Sequence, residues 1–379
     1  ARALRATARD AYLPYLRLHT EDEITPSASA NYLVTSFDAV WELGLFGRRE
    51  GTRRTLQAEA NEAAAQFDGA RVSLVAEVAA DHVMLGAAHE RRALLAQIRA
   101  LRERQLKWLE SRRSLGLARE DEVAAATAGL SQARRAESGA QRQVDAMAAQ
   151  LALLLGRDAP DPAWRADGKL PQLTIRLPDA TPADLLRTRP EIRRAEAAVL
   201  GAAGALDIAR ADRLPSLGIG GAIRWSTSIT RYNRPGTTNS ISSIGPLLDL
   251  PLFDWGLRRT RVVARSHLLS AAVLGYRDAV LRGVAEVEAA LATLQDGTLQ
   301  RREAEQAAQA QSRAAAVTSR RVALQLESPL GATTGELAAA EGAIELVDAR
   351  TAEAMAYIAL YKALGGAPAP EVTTGAPGA

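Results

Sequence analysis

The placement of proline most limits what this chain can fold into. No proline occurs from Ser27 to Ala159 or from Leu252 to Ser328, whereas ten lie between Pro160 and Pro251. Proline lacks a backbone donor and clashes with the preceding helical turn, so the chain divides into two long helical tracts around an irregular middle. Gly47 to Leu115 keeps an apolar periodicity through Leu56, Phe67, Leu74, Val78, Val83, Leu95, Ile98, Leu106 and Leu109. At 1.5 Å per residue this is roughly 100 Å of helix. No single globular core is that wide, and a pattern running well past about 25 residues points to coiled-coil-like packing or a spanning strut. The second tract, Gly256 to about Gln325, is nearly as long. Gly116 reads as a C-cap for the first, and shorter helices are expected from about Arg119 to Leu155 and about Pro182 to Asp212.

Composition narrows the class. Ala, Arg, Glu and Leu dominate and aromatics are only 4% of 379 residues, which favours helices over a sandwich core. There is no cysteine, hence no disulfide, thiolate zinc site, cysteine nucleophile or thioether anchor within these residues. A net charge of +3 without basic residues interleaved with aromatics argues against nucleic acid. No apolar run approaches the ~18 residues of a spanning helix, and residues 1–12 do not read as a signal peptide. Contact with a bilayer would need another route.

That route is visible ahead of each long tract. "YLPYLRLHTE" (Tyr12 to Glu21) and "NYLVTSFDAVWEL" (Asn31 to Leu43) flank one polar turn, and "LPSLGIGGAIRWS" (Leu214 to Ser226) and "SISSIGPLLDLPLF" (Ser240 to Phe253) flank another. In the second run Leu33, Thr35, Phe37, Ala39, Trp41 and Leu43 share one face, and Tyr32, Ser36, Asp38 and Glu42 the other. Strands of this length cross a bilayer when tilted, apolar side outward. Two hairpins cannot close a barrel, but three copies of four strands give twelve, a workable number. The repetition is a tandem duplication: "LPYL" at 13 pairs with "LPSL" at 214, "LGLF" at 43 with "LPLF" at 250, and "ESRRSLGL" at 110 weakly with "TSRRVALQL" at 318.

The motifs "SFDAVWELGLFGRR", "LLGRDAP", "PADLLRTRPEIRRAEAAVLGAAGALDIARADRLPSLGI", "IGPLLDLPLFDWGLRR" and "LYKALGG", in this order, resemble the outer-membrane efflux protein family, the TolC-like channels, and most closely the lipoprotein-type branch that serves resistance-nodulation-division pumps. The resemblance implies a mainly α protein with a transmembrane β-barrel. A tandem-repeat protomer would form a homotrimer with a twelve-stranded barrel in the outer membrane of a Gram-negative bacterium and a long periplasmic α-helical barrel. It implies an exit duct of a tripartite efflux system, with a periplasmic adaptor and an inner-membrane pump as partners, exported small molecules as cargo, and neither catalysis nor cofactor. It also implies residues ahead of Ala1 bearing a signal peptide, a lipid-carrying cysteine and the counterpart of Pro182 to Gly201. Without them a trimer would lack one short upper helix per subunit.

On this reading the chain divides into residues 1–46 (end of an upper helix and first hairpin), 47–155 (long helix, tip and return helix), 156–181 (equatorial segment), 182–212 (upper return helix), 213–253 (second hairpin), 254–365 (second long helix, tip and return helix) and 366–379 (flexible tail). The resemblance places the adaptor-contact tip at Gly116, Leu117 and Ala118 and at Ser328, Pro329 and Leu330. It places the periplasmic gate at Asp121 and Glu122, with Glu336 the nearest substitute in the second half, where the expected Gly and closely spaced Asp residues are missing. Small residues Ala124, Ala125 and Ala126 would let tip helices slide.

The residues themselves suggest a membrane interface of Trp41, Trp225 and Trp255 near strand ends. Arg48, Arg49, Arg53 and Arg54, and Arg258, Arg259 and Arg261, crowd helix starts where the dipole disfavours cations, so lipid headgroups or acids of neighbouring subunits are expected to compensate, the alternative being a solvated face. His82 and His89 are a weak metal pair lacking a third histidine. Asp207 with Asp212, and Glu191 with Glu196, read as solvated charge, and "GIGG" at 218 as a packed strand. Two other readings stay open: a soluble periplasmic coiled-coil protein such as an adaptor hairpin, and a non-assembling fragment of the channel.

Overall fold

A computed structural model of the chain describes residues 13–23, 32–171, 189–228 and 239–366. The expected upper-helix end at residues 1–12, the first residues of the 182–212 helix and the tail beyond residue 366 lie outside these. In order, the described elements are β1 (Tyr15–Glu23), β2 (Tyr32–Glu42), α1 (Arg48–Ser114), α2 (Glu120–Leu154), α3 (Pro162–Ala166), α4 (Pro190–Ala211), β3 (Ser216–Ser228), β4 (Asn239–Asp249), α5 (Leu257–Ala323) and α6 (Pro329–Ala363). They fall into two units, each drawing on both halves of the sequence, and α1 and α5 contribute to both.

The first unit, Ala1–Asp68 with Pro190–Leu281, holds one antiparallel sheet in the order β1-β2-β3-β4. Proline sets the strand limits differently from the sequence expectation. β1 starts at Tyr15 after Pro14, β3 at Ser216 after Pro215, and β4 stops at Asp249 before Pro251 rather than at Phe253; proline cannot donate to the ladder, and Pro246 is tolerated inside β4, which has one partner strand among the described residues. Rows of the register run Leu18, Phe37, Ile223, Ser242 and Arg17, Asp38, Ala222, Ser243. Opposite residues share a face, so one face gathers Leu16, Leu18, Phe37, Trp41, Ile219, Ile223, Ile244 and Leu248, and the other Arg17, His19, Ser36, Asp38 and Arg224. Beside the sheet α4 crosses α1 at two glycines: a Cβ on Gly204 would stand 2.5 Å from the Gly51 carbonyl oxygen, so neither residue can carry a side chain there.

The second unit, Gly69–Arg189 with Arg282–Ala379, is a helical layer held by small contacts. Leu85 and Ala88 of α1 pack on Val144, Ala148 and Leu151 of α2; Ile98 and Leu101 meet Ala133 of α2 and Leu337 and Ala340 of α6; Val287 and Leu294 of α5 meet Ala356 and Leu360 of α6. Each fully buried Leu or Val contributes about 1.5–3 kcal/mol, and alanine between them lets backbones approach. The segment after α2 straps α1: His89 Nε2 donates to the Trp164 carbonyl at 2.8 Å and the Leu170 N–H donates to Glu90 at 2.9 Å.

The duplication is measurable in the helices. α1 and α5 each have 67 residues and α2 and α6 each have 35. One 209-residue offset relates Arg48 to Leu257, Ser114 to Ala323, Glu120 to Pro329 and Leu154 to Ala363. β2 and β4 are instead related by 207 residues, Tyr32 to Asn239 and Glu42 to Asp249, so the second strand-to-helix junction carries two extra residues. Both junctions end in the same left-handed pair, Phe46 and Gly47 at φ 53° and 88°, Trp255 and Gly256 at 56° and 83°.

Candidate functional site

The sheet offers an apolar face to its surroundings. Leu16, Leu18, Phe37, Trp41, Ile219, Ile223, Ile244 and Leu248 are all exposed in the single chain, far beyond the scattered apolar residues of an ordinary surface. Trp225 stacks edge-on against Phe37 at 5.7 Å on this face. On the opposite face Ser36 is buried and its hydroxyl donates to Asp38 at 3.0 Å. Arg17 lies over the Tyr15 ring at 4.9 Å. No described helix is long and apolar enough to cross a membrane.

Several junction arginines find acidic partners inside the chain. Arg48 bridges Glu42, at 2.8 Å, and Asp212, tying β2, α1 and the end of α4. Arg54 reaches Asp207 of α4 at 2.8 Å. Asp207 and Asp212 are therefore structural partners, not solvated charge. Burial opposes Arg48's charge, but the hydrogen bond to Asp212 and the negative charge of Glu42 outweigh it and hold its pKa above the ordinary arginine value. Arg53, above all, and Arg54 hydrogen-bond Glu50, lowering its carboxyl pKa to about 2. In the second junction Arg258 pairs with Asp254, at 3.5 Å. Asp254 accepts backbone N–H bonds from Arg258 at 3.0 Å and Gly256 at 3.1 Å, the first of which chiefly lowers its pKa. Arg49 and Arg259 are exposed, as are Trp41 and Trp255.

Both helix tips close with one turn. Leu117 N–H donates to the Arg112 carbonyl at 2.8 Å across Gly116, and Leu326 N–H to the Arg321 carbonyl at 2.8 Å across Gln325. The 209-residue offset thus aligns Gly116 with Gln325, and the "SRR" echo is out of step by one residue. Gln325 adopts φ 59° where Gly116 adopts 73°. Gly116, Leu117, Ser328 and Pro329 are exposed, whereas Ala118 and Leu330 pack on Leu109, Val123 and Ala126. Ser328 caps α6 by accepting from Gly331 N at 3.1 Å. Of the expected gate acids, Glu122 accepts from Arg119 N at 2.9 Å, Asp121 pairs with the Arg119 guanidinium, and Glu336 pairs with Arg104 at 3.0 Å. Ala124 and Ala125 are exposed and Ala126 is buried within the protomer.

Two features escaped the sequence reading. Arg189 is buried, donating to the Gly283 carbonyl at 2.9 Å and pairing with Glu286; a lone Arg before proline gives no signal of this. Asp81 is buried with one carboxylate oxygen lacking a partner, and burial, reinforced by Glu77, raises its pKa. His89 is buried and His82 exposed, so the two do not converge, and among the described residues no group of three or more His, Asp or Glu is placed to hold a metal.

A half-apolar four-stranded sheet leading into 67-residue helices with 35-residue return helices is the fold of TolC-like outer-membrane channels. The outer-membrane channel OprN superposes with a TM-score of 0.79 at 23% identity, covering 97% of this chain and 84% of that one. The chain belongs to the Outer membrane efflux protein family, whose pattern matches residues 1–157 and 181–366. It is 30% identical over 331 residues to outer membrane protein OprJ of Pseudomonas aeruginosa, covering 86% of this chain and 68% of that protein. It is 27% identical over 304 residues to the probable efflux pump outer membrane protein SepC of Pseudomonas putida, covering 77% of this chain but 62% of that one. The chain is thus an outer-membrane efflux channel protein, and it spans about two thirds of the length of these relatives. Channels of this family are trimers that work with adaptor and pump partners.

Proposed function

We propose that this chain is one protomer of a trimeric exit duct that passes small molecules out of the cell without transforming them, driven by an inner-membrane pump through a periplasmic adaptor. The observation that carries the reading is the sheet. β1 and β4 each have one partner strand among the described residues, and the face gathering Leu18, Phe37, Ile223 and Ile244 is exposed. Edges of that kind demand pairing, and such a face belongs in lipid. Three copies joined β4 to β1 give a closed twelve-stranded wall with the Arg17 and Asp38 face toward the lumen.

The tips around Gly116 and Leu117 and around Ser328 and Pro329 meet the adaptor, and Asp121, Glu122 and Glu336 line the closed constriction. Arg119 and Arg104 offset those acids, so the ring is less negative than three bare carboxylates per protomer would make it. Size measurement in detergent tests the assembly: a trimer is expected, and a stable monomer would sink the duct. Planar-bilayer recording tests the pore, with long-lived conductance steps expected from the trimer alone.

A further inference from the structure

The second strand-to-helix junction carries the two most exposed large aromatic residues of the described chain. Trp255 is 90% exposed, Leu252 85% and Phe253 75%, and the two rings meet edge-on at 4.8 Å. Trp255 also holds a left-handed backbone conformation that side-chain-bearing residues adopt only at a cost. Asp254 explains how it is held: its carboxylate accepts the N–H groups of Gly256 and Arg258 and so caps α5, leaving Trp255 to project away from the helix start. The 209-residue offset aligns Asp254 and Trp255 with Leu45 and Phe46, so the second junction places a capping carboxylate and an indole where the first places a leucine and a phenyl ring.

We infer that this spur, Leu252, Phe253 and Trp255 with Arg259, is a lipid anchor seated at the phospholipid headgroup boundary on the periplasmic side of the outer membrane, and that Leu45 and Phe46 with Arg49 are its weaker copy. The inference rests on the barrel reading and deepens it. Three observations choose lipid as the occupant. The alternate positions Ile244, Pro246 and Leu248 of the outward sheet face are followed past the end of β4 by Leu250 and Leu252, all of them exposed, so the spur prolongs the lipid-facing surface. Charge sits on the other side of the junction, where Glu42, Arg48, Asp212, Asp249, Arg258 and Arg261 line a cavity of about 310 Å³. Arg259, in the first turn of α5, is exposed and has no ion pair among the described residues. An indole over hydrocarbon with a guanidinium one turn away suits a surface that is apolar on one side and phosphate-bearing on the other. The first junction has less to offer, with Leu45 and Phe46 about half exposed.

Tryptophan emission in brominated lipid tests this. The chain has five tryptophans, and versions retaining only Trp255 or only Trp225 would be reconstituted into phospholipid brominated near the glycerol end or near the chain terminus. Trp255 is expected to lose more emission to the shallow bromine than to the deep one. Trp225 serves as the sheet control and is quenched whenever that face meets lipid. Quenching of Trp225 with none of Trp255 would overturn the anchor alone, giving the spur to a neighbouring copy or to water. If neither is quenched, the barrel reading falls and the anchor with it. In the otherwise unchanged chain, Trp255→Phe should abolish the greater part of the shallow quenching, a readout that does not depend on a multiply substituted chain folding.

Discussion

The two halves of this chain share helix lengths to the residue and differ in how each is fastened. The first long helix begins under an ion-paired bracket, Glu42 to Arg48 to Asp212, and crosses α4 at Gly51 and Gly204. The second begins on one aspartate cap with two additional residues before it. The first tip turns on glycine and opens its return helix with Glu120, Asp121 and Glu122; the second turns on glutamine and opens with a Ser328 cap and Pro329. Geometry is therefore what the duplication keeps, and the chemistry that secures it is free to diverge.

That contrast can be broken experimentally. The largest effect is expected at the helix crossing: Gly204→Val should cost about 3 kcal/mol in thermal unfolding in detergent, since overpacking against backbone cannot relax cheaply. Thr260, which the offset aligns with Gly51, is exposed, and Thr260→Val should be nearly silent. Equal effects would mean that the crossing is not specific to one half. Next, Arg48→Ala should cost about 2 kcal/mol by stranding two carboxylates, whereas Arg258→Ala should cost less than about 1 kcal/mol, because its pair with Asp254 is longer, at 3.5 Å, and Asp254 keeps its two backbone donors. The same melting series reads both.

The tips sharpen the comparison at a smaller scale. Gly116→Ala should destabilise by about 1 kcal/mol and Gln325→Gly should stabilise by roughly half that, because both positions require a left-handed residue. Amide exchange in the last turns of α1 and α5 would register both, and changes of the same sign would refute the equivalence of the two turns. The smallest effect is acid sensitivity. The depressed carboxyl of Glu50 stabilises the first junction fully above its ordinary value of 4.5, and that stabilisation is lost as pH falls towards about 2. The aligned residue in the second half is Arg259, so Glu50→Gln should flatten the acid response of the first junction and leave the second, governed by Asp254, unchanged.

Much of this was legible without coordinates. Proline spacing gave the helical tracts because proline acts locally, and the alternation of Phe37, Ala39 and Trp41 gave the sheet because strand faces repeat every second residue. Three things were hidden for the same physical reason, that they depend on partners distant in sequence or on backbone angles. The pairing of Arg48 with Asp212 and of Arg54 with Asp207 spans more than one hundred and fifty residues. The left-handed turn at Phe46 and Trp255 has no glycine to announce it at that position. The engagement of Glu122 with the Arg119 N–H shows only once α2 starts at Glu120. Among the sites, the interface tryptophans were read from strand ends, whereas the role of Asp254 was not.

The single-partner strands β1 and β4 have a consequence for how such a protein is made. On the duct reading, a newly synthesised copy carries along β1 and β4 two rows of amide and carbonyl groups with no second partner strand among the described residues, open to pairing with other extended segments. Its thermodynamic stability is thus inseparable from how many sisters are nearby, and dilution itself becomes a denaturant. Cells that produce it in small numbers must shield the nascent chain until three have gathered, so biogenesis, more than conduction, is the step most exposed to failure.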